Sequence, residues 1–272
     1  MVRALILVVL MAMGWQVPAQ AQSRSAASEV DVQIVLAVDI SYSMDPEEQR
    51  LQREGYMKAI TSPEVIDAIR KGLIGKIAVS YIEWAGHHER QVVIDWRIID
   101  GPESARAFAT ELEAKPYRRA FRTSISGAIQ ASVDLLEKSG LRSMRRVIDV
   151  SGDGTNNNGP HVEIARDDAL AKGIVINGLP IMMPRRNTRY ADFPNLDAYY
   201  QDCVVGGPGS FVIPITTPEE FVSATRRKLV LEVAGIAPAW PLPDGPRVIP
   251  AQAQKVDCLI GERIWRERFE RN

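Results

Sequence analysis

The stretch Val32–Asp45, VQIVLAVDISYSMD, constrains the fold more than any other part of the chain. It opens on an apolar run, Ile34 to Val38, too short and too β-branched to favour a helix. Such a run reads as a strand buried on both faces, as in the middle of a parallel sheet. The run stops on Asp39, and Ser41 and Ser43 follow. A D-x-S-x-S at the carboxyl end of a central strand places a carboxylate and two hydroxyls on a tight loop whose alternate residues point one way. That donor set suits a hard cation. A helix start comes next, with Asp45 as N-cap, Pro46 at the first helical position and Glu48 completing a capping box. Strand, oxygen-bearing loop and helix N-terminus therefore share one βα unit, where open α/β sheets bind their ligands. Asp and Ser are also common in plain loops and caps, so this stretch alone fits a site or an ordinary turn equally well.

The rest of the chain repeats the alternation. Lys76–Trp84 is a mostly apolar strand. Arg90–Ile99 sets Val92, Ile94, Trp96 and Ile98 on one side, the pattern of a half-exposed strand. The short link between the two suits a hairpin, which makes the second an antiparallel edge. Helices are expected over Pro102–Ala114 and over the segment carrying Ile125, Ala128, Ile129, Leu135 and Leu136 on one face. Arg145–Val150 feeds a buried strand into Ser151-Gly152-Asp153-Gly154, and an Asn156–Asn158 turn leads to a helix beginning near Pro160. Gly173–Ile181 and Phe211–Ile215 read as further strands, and Thr217-Pro218-Glu219-Glu220 repeats the cap-and-proline helix start. The expected fold is α/β: a doubly wound, mostly parallel sheet with one antiparallel edge strand and helices on both faces, over residues 30–235. Beyond Gly235, five prolines from Pro238 to Pro250 give an extended connection. The arm, residues 236–272, ends in Cys258 and in Ile260, Ile264, Trp265 and Phe269 at roughly helical spacing.

Composition narrows the classes. With 46% hydrophobic and 25% charged residues and a net charge of −1, the chain is globular and has no basic block for nucleic acid. Residues 1–21 read as a signal peptide: Arg3 as the positive region, Ala4–Met13 as the apolar core and Ala19-Gln20-Ala21 as the cleavage site. The apolar part is shorter than the roughly 20 residues of a spanning helix. Cleavage near Ala21 implies a periplasmic or secreted protein with no membrane span in the mature chain. An oxidising compartment makes Cys203 and Cys258 a natural disulfide pair, which would tie the arm back to the domain.

In a doubly wound sheet the carboxyl ends of neighbouring strands share one face. Asp39, Ser41 and Ser43 end one strand, Asp153 ends another, and Thr123 precedes a helix that can pack alongside. Two carboxylates and three hydroxyls around one point would hold Mg²⁺ most naturally, with Mn²⁺ or Ca²⁺ admissible. Taken singly, Asp153 suits a turn and Thr123 a helix cap. Taken in order, the three pieces are similar to a von Willebrand factor type A domain with a metal-ion-dependent adhesion site. The resemblance rests on Asp39-Ile40-Ser41-Tyr42-Ser43, on Thr123 before Ser126-Gly127-Ala128-Ile129, and on Asp153-Gly154, and it covers about Val30 to Gly235. The Cys203–Ile215 stretch, CVVGGPGSFVIPI, and the cysteine-bearing tail resemble a bacterial exported group within that family.

The resemblance implies that Ser41, Ser43 and Thr123 contact the metal directly or through water, while Asp39 and Asp153 supply charge. It implies a non-enzymatic, adhesion-type module that grips a protein partner by an Asp or Glu side chain completing the coordination. It also implies a last domain helix able to shift, a motion that the Cys203–Cys258 bridge would restrict. Gly152 departs from the pattern, standing where many relatives carry a hydroxyl residue. Two other readings use the same residues: a metal-dependent hydrolase with His161 as base, and a structural envelope subunit whose metal stabilises the fold. His87-His88 reads as a solvated turn, and neither a nucleophile elbow nor a phosphate-binding glycine loop is present.

Overall fold

The computed structural model describes residues 28–184, 193–235 and 255–270. The expected signal peptide and the proline-rich stretch 236–254 lie outside them. β1 (Glu29–Asp39) is the central strand, buried along its whole length after Glu29. It pairs in parallel with β2 (Ile77–Trp84) on one side and β4 (Arg142–Gly152) on the other. Asp39 lies opposite Trp84, and Val38 opposite Ser151. β3 (Arg90–Ile99) pairs antiparallel with β2, and β5 (Val175–Pro180) parallel with β4, giving the order β3-β2-β1-β4-β5. The expected hairpin is present: Ala85 N donates to Glu89 O at 2.9 Å and Glu89 N to Gly86 O at 2.8 Å.

Because side chains alternate along a strand, β1 feeds two cores at once. Ile34, Leu36 and Val38 pack with α1 (Pro46–Ile60), α2 (Pro63–Arg70), α3 (Pro102–Glu113) and α7 (Phe221–Ala234). Val35 and Ala37 pack on the other face with α4 (Ile125–Lys138), α5 (Val162–Ala171) and the segment after α6 (Leu196–Tyr199). Fully burying each such aliphatic side chain contributes about 1.5–3 kcal/mol, which is why this run dominates the fold.

The α1 cap forms as its residues predict. Asp45 Oδ1 accepts from the backbone of Glu47 and Glu48, both at 2.8 Å, and Glu48 Oε2 accepts from Asp45 N at 2.7 Å. One strand expectation is only partly met. Phe211–Ile215 runs parallel to β5 through isolated bridges, Gly178 with Val212 and Ile181 with Ile215, and forms no regular sixth strand. Pro180 on one side and Pro214 on the other have no N–H to give, which interrupts the ladder.

Cys203 and Cys258 form the disulfide. Cys203 lies in a π-helical turn, Tyr200–Val204, and Cys258 just precedes α8 (Ile260–Glu270). The bridge therefore fastens α8, not α7, which packs on the opposite face of the sheet; the expected restraint on the last domain helix is misplaced. No helix among the described residues is long and apolar enough to cross a membrane.

Candidate metal-ion site

Asp39 ends β1 fully buried, with Ser41 2% exposed beyond it. Ser41 N donates to Asp39 Oδ1 at 2.7 Å, which turns the chain tightly enough to set Ser41 and Ser43 side by side, Oγ to Oγ 2.8 Å. Ser43 Oγ then donates to Asp153 Oδ1 at 2.7 Å, joining the loops after β1 and β4. Four of the five expected residues thus form one chain of contacts. Thr123 joins them by position. It lines the same cleft as Ser41, Ser43 and Asp153, and its Oγ1 lies 3.6 Å from where a Cβ on Gly154 would stand. Ser124, not Thr123, caps α4, its Oγ accepting from Gly127 N at 3.1 Å, so capping makes no demand on the Thr123 hydroxyl.

Long-range contacts deliver Thr123 there. The segment 115–122 is strapped to the acceptor loop: Tyr42 N donates to Ala120 O at 2.9 Å and Ala120 N to Ile40 O at 3.1 Å. Arg119 donates from Nη2 to the carbonyls of Tyr42 and Met44. The Asn-rich turn, read from sequence only as a turn, is a set of clamps. Asn157 Oδ1 accepts from Thr123 N at 3.0 Å, and Asn157 N donates to Thr123 O at 2.8 Å. Asn156 Oδ1 accepts from Ser126 N at 3.0 Å at the start of α4, and Asn158 Oδ1 accepts from His87 N at 2.7 Å.

The departure at Gly152 has a spatial cause. A Cβ there would lie 2.8 Å from Asp39 Oδ2 and 3.1 Å from the Tyr200 hydroxyl. Tyr200 fills the space that a larger residue would need, and its O–H reaches toward Gly152 O at 3.4 Å. Nothing in the sequence marks this tyrosine as a neighbour of the site. Burial, then the charges of Asp39 and Asp153, push its phenol well above the ordinary value, so it remains a neutral hydroxyl.

Burial is also the main reason the Asp39 carboxyl is held well above the usual carboxylate range, and the charge of Asp153 adds to it. Asp39 Oδ2 is buried with no hydrogen-bond partner. An uncompensated buried carboxylate oxygen is costly, and a proton or a bound cation would relieve it. The donor set, two carboxylates and three hydroxyls on three loops, fits a hard divalent ion. Among the described residues no group of three or more His, Cys, Asp or Glu converges. His161 is the exposed N-cap of α5 and does not line the cleft.

The cleft measures about 190 Å³. Its far wall, invisible to sequence reasoning, belongs to α8, through Ile264, Trp265 and Arg268.

A five-stranded mixed sheet between two helical layers, with oxygen-bearing loops at the carboxyl ends of its central strands, defines a von Willebrand factor A-like domain. The chain belongs to the family described as "Protein of unknown function (DUF1194)", whose model matches residues 29–237. Solved structures carry the same fold. Proximal thread matrix protein 1 from the mussel byssus, in a structure described as having a zinc-occupied MIDAS motif, superposes with a TM-score of 0.56 at 13% identity, covering 76% of this chain and 49% of that one. The pilus adhesin SpaC from Lactobacillus rhamnosus GG gives 0.55 at 12% identity, covering 75% and 30%. The vWF domain of the type V pili tip protein Mfa5 from Porphyromonas gingivalis gives 0.54 at 10% identity, covering 76% and 96%. The chain spans about half the length of the mussel protein. No curated protein matches it in sequence.

Proposed function

We propose that this protein is an exported, metal-dependent protein-binding module. Ser41, Ser43 and Thr123 would offer hydroxyl oxygens to one divalent cation, directly or through water, with Asp39 and Asp153 supplying the charge. Mg²⁺ is the preferred ion, with Mn²⁺ or Ca²⁺ as substitutes. When bound, the cation supplies a positive centre that an Asp or Glu side chain of a protein partner can complete. The observation that carries this reading is the buried, unpartnered Asp39 Oδ2 beneath a cleft lined by Ser41, Ser43, Thr123 and Asp153. Adhesin and matrix proteins among the fold neighbours support a binding role, and the disulfide supports an oxidising compartment such as the periplasm.

Calorimetric titration of the purified protein with Mg²⁺ and Mn²⁺ tests it, alongside thermal shift and the Asp39→Ala variant. Heat and a raised midpoint in the wild type, both lost in Asp39→Ala, are expected. No heat and no shift would end the proposal. A cross-linking pull-down from envelope extract, with and without chelator, then identifies the partner.

A further inference from the structure

α8 forms one wall of the cleft through Gly261, Ile264, Trp265 and Arg268. Of its residues from Ile260 to Arg268, only Gly261 is buried. It is nonetheless seated closely on the site loops. A Cβ at Gly261 would lie 2.0 Å from Asn156 O and 2.5 Å from Thr155 Oγ1, so only glycine permits this approach. Glu262 Oε1 accepts from Asn156 Nδ2 at 2.7 Å, the same asparagine that holds the start of α4. Trp265 stacks on the Arg122 guanidinium, 3.6 Å from ring centroid to Cζ. Arg122 directly precedes Thr123 and is the one non-glycine residue at positive φ (74°) among the described residues. A left-handed non-glycine residue persists only where its surroundings hold it, and it is found disproportionately at clamps and switches.

The two ends of this arm are held differently. At its base the Cys203–Cys258 bond is covalent, Val256 N donates to Asp202 Oδ2 at 2.8 Å, and the Tyr199 hydroxyl reaches Cys258 O at 3.4 Å. Over the cleft its described contacts are non-covalent: Gly261 seated on Asn156, the Asn156–Glu262 hydrogen bond and the Trp265–Arg122 stack. The space left is about 190 Å³, below the roughly 300–1,000 Å³ of pockets that take drug-sized ligands. A hydrated cation and a small carboxylate fit there, but the surface of a protein partner does not.

We infer that α8 is an intramolecular cap on the cation site, tethered by the Cys203–Cys258 disulfide, and that it must lift off Arg122 and Asn156 before a protein carboxylate can reach the metal. This inference rests on the metal-dependent reading above. Access to the site is then set by the α8 equilibrium: the apparent affinity for a protein ligand falls by the fraction of molecules that are open, whereas the affinity for the bare ion does not.

The test uses the full chain with its disulfide formed, beside Trp265→Ala, Gly261→Leu and the paired Cys203→Ser/Cys258→Ser variant, each checked for native circular dichroism. Mn²⁺ affinity is measured by electron paramagnetic resonance. Binding to an immobilised poly-glutamate surface is measured in Mn²⁺ and in EDTA, and hydrogen exchange is followed over residues 255–270. The expected result is Mn²⁺ affinity within about threefold of wild type in all variants, with poly-glutamate bound at least tenfold more tightly by the variants and only in Mn²⁺. Exchange across α8 should rise in the variants, and should rise in the wild type when Mn²⁺ and poly-glutamate are added together. Equal or weaker capture by the variants, with Mn²⁺ still bound, would overturn the cap and leave the metal site standing. Failure of every form to bind Mn²⁺ would overturn the metal site and the cap with it.

Discussion

Two pairs of buried carboxylates lie close together along β4, and the domain treats them differently. In the core, Asp149 on β4 and Glu232 on α7 share the ammonium of Lys228, with all three side chains fully buried. Tyr56 donates to Asp149 at 3.1 Å and Asn177 to Glu232 at 2.9 Å. At the sheet's carboxyl edge, burial and then the charge of Asp153 hold the Asp39 carboxyl well above the usual range. Asp149 Oδ2 and Glu232 Oε2 lack hydrogen-bond partners as Asp39 Oδ2 does, so the internal ammonium is what separates the two regions. Where the chain carries its own cation, the carboxylates hold α7 to the sheet. At the carboxyl edge, on the proposed reading, Asp39 and Asp153 would instead take a cation from solution.

The contrast can be broken most severely at Lys228. Lys228→Met leaves two carboxylates facing each other in the core and is expected to cost about 3–5 kcal/mol in urea denaturation, as loss of one partner of a buried pair does. A smaller effect concerns protons. Two carboxylates around one ammonium retain a proton, and burial, opposed by Lys228 and reinforced by Asp149, raises the Glu232 carboxyl from 4.5 to about 7. The folded state then binds the extra proton between those values, so stability is lost as pH rises through that window, by at most about 3 kcal/mol, and changes no further above it. Glu232→Gln should flatten that slope in pH-resolved denaturation; an unchanged slope would assign it to other groups.

At the carboxyl edge the effects are smaller and of opposite sign. Mg²⁺ at a hundredfold excess over its dissociation constant should stabilise the wild type by about 2.7 kcal/mol, read as a thermal shift that EDTA reverses. Removing a carboxylate there should help the metal-free protein. Asp39→Asn keeps the acceptor for Ser41 N, relieves the repulsion from Asp153 and is expected to raise metal-free stability by about 1 kcal/mol while abolishing the Mg²⁺ response. A destabilised Asp39→Asn protein that still responds to Mg²⁺ would erase the distinction between the two regions.

How much of this was legible in the sequence follows the range of the interactions. The Asp45-Pro46-Glu48 cap and the Ile34–Val38 run are local signals, and each appears in place. β3 forms, but its expected alternation does not hold: across an irregular register with β2, Ile94 packs in one core and Trp96 against the other, and Val92 is exposed. β4 begins earlier than its apolar run, at Arg142, because its first residues are charged and partly exposed, and pairing with β1 extends it. The order of the five oxygen-bearing residues on three loops nominated them, and the fold brings Ser41, Ser43, Thr123 and Asp153 to one cleft, with Asp39 joined to them through Ser41. Tyr200 and Arg119 were not, because neither carries a pattern that ties it to the site; the spacing from Ile260 to Phe269 marked α8 as helical but not where it packs. The disulfide was legible as a pair tying the arm back to the domain, and the packing adds that the tied part is α8, not the last domain helix.

The turn after Asp153 has a consequence of its own. Three adjacent asparagines reach three different places: the start of α4, the backbone of Thr123 and the hairpin at His87. Adding or deleting one residue between Asp153 and Gly159 would misdirect all three together. The segment can neither lose these side-chain oxygens nor change length, and any transplant of this loop cluster into another scaffold has to carry it whole.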